Sequence, residues 1–85
     1  MWERGLIMVP QKDGSRVSVR YSVKVYDLGS RFGIDGGRIS KLWLQIDGEC
    51  VANYDRGWDV KPTCEAAEIA LQILLEEYKV KESEK

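Results

Sequence analysis

A chain of 85 residues, 44% hydrophobic and 32% charged with a formal net charge of −1, describes one small globular domain with a single core rather than a disordered or membrane chain. No apolar run approaches the roughly 20 residues that span a bilayer, and Glu3 and Arg4 ahead of the short apolar run at 6–9 do not make a signal peptide; the expectation is a cytoplasmic protein with no membrane partner. There is no histidine, which removes the commonest general base, the usual partner of a Ser or Cys nucleophile and the commonest zinc ligand. With no phosphate loop and no dinucleotide motif either, the chain is expected to be no enzyme and to hold no cofactor and no metal. Cys50 and Cys64 form no C-x-x-C pair and are expected to be buried free thiols.

In chain order, residues 6–9 read as a short strand, joined to the next by a turn at 10–15 that contains Asp13-Gly14. Residues 17–27 alternate cleanly, with Val17, Val19, Tyr21, Val23 and Val25 on one face and Ser18, Arg20, Ser22, Lys24 and Tyr26 on the other. A glycine-rich loop at 28–38 leads into a second strong strand at 39–46. Asp47-Gly48 then predicts a two-residue type I′ hairpin, because this turn demands positive φ at both positions. Counting back from it along residues 49–54 sets Ile46 opposite Glu49, Leu44 opposite Val51, Trp43 opposite Ala52 and Leu42 opposite Asn53. A second loop covers 54–59.

The helix starts after Pro62, with Thr63 as its expected N-cap and Glu65 placed against the positive end of the dipole. Ala67, Ala70, Leu71, Leu74 and Tyr78 share one side at helical spacing, flanked by Ile69, Ile73 and Leu75, with Glu68, Gln72 and Glu76 opposite. Residues 1–79 are expected to form a single domain, and residues 80–85 a charged, disordered tail. Neither sheet nor helix buries its apolar side alone, so the fold class is α+β: an antiparallel three- to four-stranded meander with one C-terminal helix packed on one face, in two layers. Charge divides along the same line. Residues 1–61 hold 10 cations against 8 acids, a net of +2, and residues 62–85 hold 3 against 6, a net of −3.

The segments FGIDGGRISKLW, residues 32–43, and VANYDRGWD, residues 51–59, followed by an acidic amphipathic helix, resemble a family of short uncharacterised proteins from Gram-positive bacteria and their prophages. The likeness covers residues 17–79 and leaves 1–15 outside. It implies a small cytoplasmic accessory protein, often of phage or mobile-element origin, and brings no activity with it.

Candidate functional residues fall into two groups. The sheet face away from the helix is expected to display Arg20, Lys24, Tyr26, Lys41, Trp43, Gln45, Ala52 and Tyr54, which is three cations, three aromatics and no acid. The loops at 28–38 and 54–59 should meet at one end of the sheet and bring together Arg31, Phe32, Arg38, Arg56 and Trp58. Gly33, Gly36 and Gly37 there either admit a ligand to the backbone or merely permit a tight approach to the next strand. Asp27, Asp35, Asp55 and Asp59 lack the spacing of a calcium loop and read as turn and ion-pair residues. Trp58 beside Arg56 has the residue types of a binding hot spot, or else caps the open end of the core. The reading is a non-enzymatic binding protein with a protein partner, a host factor or defence component. The alternative is single-stranded nucleic acid, with Tyr26, Trp43 and Tyr54 stacking bases and Arg20, Lys24 and Lys41 meeting phosphates. A bare strand edge beside Trp43 also invites a symmetric homodimer.

Overall fold

A computed structural model of the chain describes residues 1–29 and 33–79. Five strands run as an antiparallel meander in the order β1-β2-β3-β4-β5: β1 Trp2–Pro10, β2 Arg16–Val25, β3 Ile39–Ile46, β4 Glu49–Asp55 and β5 Trp58–Val60. One helix, α1 Glu65–Glu77, follows and covers one face. The two-layer α+β class is as the sequence indicates; the strand count is higher by the short β5 and β1 is longer than residues 6–9.

The alternation of β2 is realised in full. Val19 and Val23 are completely buried under the helix while Ser18 and Arg20 stay exposed. β1 pairs with β2 along all nine of its residues without a register shift, from Trp2 opposite Lys24 to Pro10 opposite Arg16. Gly5 stands opposite Tyr21, whose ring lies flat over it: a Cβ on Gly5 would fall 2.6 Å from the phenol oxygen. The aromatic ring occupies the space that the missing side chain leaves, a common device for keeping a glycine in a strand.

The hairpin turn is as expected, with φ of 50° at Asp47 and 83° at Gly48 and Ile46 opposite Glu49. Beyond that pair the expected register fails. Gln45 faces Cys50 but Leu44 faces Ala52, so Val51 is the extra residue of a β-bulge, and Leu42 then meets Tyr54 and Trp43 meets Asn53. The slip turns Ala52 and Tyr54 into the core and sends Asn53 outward. A straight ladder would have buried the Asn53 amide without a sure partner and left the Tyr54 ring in water. Instead Tyr54 stacks edge-on against Trp58 of β5, ring centroids 5.1 Å apart.

The backbone N–H of Thr63 donates to the Val51 carbonyl, which holds Thr63 in the connection to the sheet. The N-cap is therefore Cys64, without a side-chain capping bond, in place of the expected Thr63. Ala66, Ala67, Ala70, Leu71 and Leu74 are buried against the sheet, and α1 lies mainly across β1 and β2. Ile73, expected to flank the stripe, is largely exposed. Cys50 and Cys64 are free thiols but exposed, not buried: Cys50 is at the bulge and Cys64 at the helix cap, both outside the core. The charged run 80–85 lies outside the described residues.

Candidate functional site

The helix protects one face of the sheet, and no described element covers the other. From β1 this outer face takes Trp2, Arg4, Leu6, Met8 and Pro10; from β2, Arg16, Ser18, Arg20, Ser22 and Lys24; from β3, Lys41, Trp43 and Gln45. Trp2, Leu6, Met8 and Trp43 stand 44–53% exposed. The described outer-face residues of β1, β2 and β3 include five cations, with Arg16 at the far end of β2, and no acid. The acid nearest them in the sheet is Asp55 of β4, whose carboxylate lies 3.7 Å from the Lys41 ammonium across the β3–β4 pair.

Two shallow depressions mark the face. Trp2 and Trp43 line one of about 270 Å³ with Lys41, Asn53 and Asp55, and Arg4, Leu6, Arg20 and Ser22 border another of about 320 Å³. The cations sit on aromatic rings as well as among them. The Arg4 guanidinium lies 5.9 Å from the Trp2 ring centroid, and the Lys24 ammonium 5.6 Å from that of Tyr26. Hydrogen bonding from Lys24, then its positive charge, holds the Tyr26 phenol below its ordinary pKa.

Of the expected surface residues, Arg20, Lys24, Lys41 and Trp43 are on this face and Tyr26 continues it just past the end of β2. Tyr54 and Ala52 are not. The bulge at Val51 buries both, so Tyr54 is a core residue and no surface aromatic. In their place β1 contributes Trp2, Arg4, Leu6 and Met8. The segment with Trp2 does not fold over Trp43; it extends the same face by one strand. The signal that could have found it is the ten-residue length of β2, which calls for a partner of matching length.

The loop end is built for structure. The Arg38 Nε donates to the Tyr26 carbonyl at 2.8 Å and the Tyr26 N–H returns a bond to the Arg38 carbonyl, clamping the two ends of the β2–β3 connection. Arg31 and Phe32 lie outside the described residues. Gly33 is buried, and a Cβ there would fall 2.1 Å from the Gly37 carbonyl oxygen, so this glycine serves the loop's packing upon itself. Ile34 anchors the loop in the core. Arg56 occupies the β4–β5 turn with φ of 61°, and its backbone N–H reaches the Ser40 carbonyl at 3.3 Å. Trp58 is half-buried against Tyr54 and the core. Among the described residues no three Asp, Glu or Cys side chains gather closely enough to hold a metal ion.

A larger depression, about 780 Å³, runs along the flank of α1 between Pro62, Glu65, Ile69, Ile73 and Glu76, and none of the candidate site residues lines it. It is an open flank on which Glu65, Glu68 and Glu76 stand beside Ile69 and Ile73. No described helix is long and apolar enough to cross a membrane.

Fold and face together define a small α+β domain with an open five-stranded sheet, one helical layer and one bare aromatic and basic face. The chain belongs to the family described as Domain of unknown function (DUF7678), whose model matches residues 1–79. The match starts at residue 1, so β1 is part of the family domain, where the sequence placed the likeness from residue 17 onward. No curated protein and no solved structure matches the chain.

Proposed function

We propose that this is a non-enzymatic binding protein whose outer sheet face docks an acidic surface of a protein partner. The observation that carries the reading is Trp2, Leu6, Met8 and Trp43 exposed beside Arg4, Arg20, Lys24 and Lys41. Trp, Met and Arg are enriched in protein interfaces, and an apolar patch rimmed with charge marks such a surface. The lack of histidine supports binding over catalysis. The resemblance to proteins of Gram-positive bacteria and their prophages supports a narrower form: a cytoplasmic accessory protein of a phage or mobile element that modulates a host protein, with a defence component as the target class. A pull-down from host extract tests it. The wild type should retain a protein that the Arg20→Ala/Trp43→Ala double variant loses and that Ile73→Ala, a change on the helix, keeps. Equal retention by the double variant removes the face as the docking surface.

Single-stranded nucleic acid is the second reading. One observation favours it: Trp2 and Trp43 line the same depression, with Lys41 on its rim, an arrangement that suits a stacked base and its phosphate. Affinity would then fall steeply as salt rises, because counterion release drives such binding. Failure to bind labelled DNA or RNA strands at low salt eliminates it.

A further inference from the structure

We infer that β1 is a self-pairing edge, through which two copies of the chain join as one continuous antiparallel sheet about a twofold axis at Leu6. The inference rests on the backbone of β1 and stands apart from whatever docks on the outer face. Met1 and Val25 exchange both backbone hydrogen bonds, at 3.1 and 2.8 Å. In an antiparallel ladder such pairs alternate with non-bonded ones, so Glu3, Gly5, Ile7 and Val9 bond inward to β2. The N–H and C=O groups of Trp2, Arg4, Leu6 and Met8 therefore point away from the sheet, and no described strand lies beyond β1 to receive them.

Strand edges in native proteins are blunted by bulges, by inward-facing charges, by proline or by brevity. β1 has nine residues, an unbroken register, its one helix-side charge, Glu3, near its start and its one proline at the final position. Its outward groups alternate in the phase that a second antiparallel copy of the same strand needs. Leu6 is the midpoint of Trp2–Pro10, so pairing centred there alone uses the whole length. It sets Leu6 against its own copy, Arg4 against Met8, Glu3 against Val9 and Trp2 against Pro10, with no like charges opposed; the missing Pro10 donor falls at the two ends. Centring on Arg4 would instead face two guanidiniums across the axis. Pairing of outer face on outer face would crowd the cations of Arg4, Arg20, Lys24 and Lys41 against their copies, so the edge is the better self-contact. The arrangement closes as a pair, because it consumes both long edges and leaves outermost only the three-residue β5 of each copy.

Sedimentation equilibrium of the full chain over a range of concentrations is expected to show a dimer. Leu6→Pro removes an outward N–H and no bond to β2. Leu6→Glu places a carboxylate beside Arg20 within one copy and opposite another carboxylate across the axis. Both variants should sediment as monomers with an unchanged circular dichroism spectrum, while Trp43→Ala stays dimeric. Should Leu6→Pro fail to fold, Leu6→Glu still decides the matter. In a Cys50→Ser/Cys64→Ser background, Leu6→Cys should cross-link under mild oxidation, since paired Cα atoms about 5.5 Å apart suit a disulfide, and Met8→Cys should not. A wild-type monomer throughout, a dimer that survives Leu6→Glu, or a dimer lost in Trp43→Ala overturns the inference.

Discussion

The sheet has two edges, and they are finished in opposite ways. At one, β5 pairs with β4 at only two positions, Asn53 opposite Val60 and Tyr54 opposite Trp58, with a register shift between them. Its Trp58 turns onto the core, and Lys61 and Pro62 end the strand at once. At the other, β1 runs straight for nine residues with exposed Leu6 and Met8 on its outer face. The contrast teaches that closure of a small sheet need not be achieved by length: a short, bulged strand that spends its one aromatic side chain inward refuses further pairing, whereas a long regular one leaves the ladder open.

The sharpest way to break that contrast is to strip β5 of its anchor. Trp58→Ala removes a half-buried ring from Tyr54 and the core and is expected to cost roughly 2–3 kcal/mol, somewhat below the range for a fully buried aromatic, read as the shift in a urea denaturation midpoint. An effect within about 0.5 kcal/mol would mean that Trp58 does not seal the edge. On the β1 side the corresponding probe is Gly5→Ala. The new methyl forces Tyr21 off the strand, for an expected loss of about 1 kcal/mol, and Tyr21→Ala in the same background should abolish the difference.

Trp43→Ala separates the bare face from both edges. The ring is 44% exposed, so the melt should shift by less than about 1 kcal/mol in stability while partner retention is lost. A large loss of stability would make Trp43 a packing residue. The smallest effect lies where the helix reaches β1. Burial first, then the Tyr21 phenol and the Glu3 carboxylate, raise the Tyr78 phenol above its ordinary value of 10.0. The folded state keeps this proton more tightly than the unfolded chain. Its contribution is therefore whole below about pH 10 and declines as pH rises through the raised folded value. Tyr78→Phe should show a shallower fall of melting temperature above pH 10; an identical slope would exclude Tyr78 as a source of the alkaline loss.

What the sequence made legible follows from side chains with one good place to go. The Val/Tyr alternation of β2, the bounds of β3 and the Ala/Leu stripe of α1 each match one burial pattern, and Asp47-Gly48 matches one turn. β1 was only half visible. Leu6 and Met8 make its outer side apolar, so the strand shows no clean polar alternation, and Glu3, Arg4 and Gly5 break the apolar run. That cost the site half its face. β5 was hidden because three residues in a loop rich in Asp and Gly carry no period, and their pairing is set by Tyr54 and Trp58 finding one another. Nor does Cys50-Val51-Ala52 announce a bulge: three small apolar side chains fit either phase, and the choice is made three residues later, by which of Asn53 and Tyr54 is the better core residue.

Strands tolerate changes of letter far better than changes of count, and the bulge at Val51 gives β4 one residue to spare in that count. Deleting Val51 would straighten the ladder from the Asp47-Gly48 turn while Leu44 kept Ala52, Trp43 kept Asn53 and Leu42 kept Tyr54 as partners. Losing Ala52 as well would set Leu44 opposite Asn53 and Trp43 opposite Tyr54, and so exchange the two sides of everything after it. Asn53 would enter the interior, Tyr54 would join Trp43 outside, and β5 would lose the ring that holds it. An insertion or deletion in the turn at residues 11–15 leaves the strand phases alone, since it lies between the paired residues of β1 and β2. Length variation among members of this family should accordingly gather at the β1–β2 turn and, between Asp47 and Tyr54, amount to no more than the one residue of the bulge.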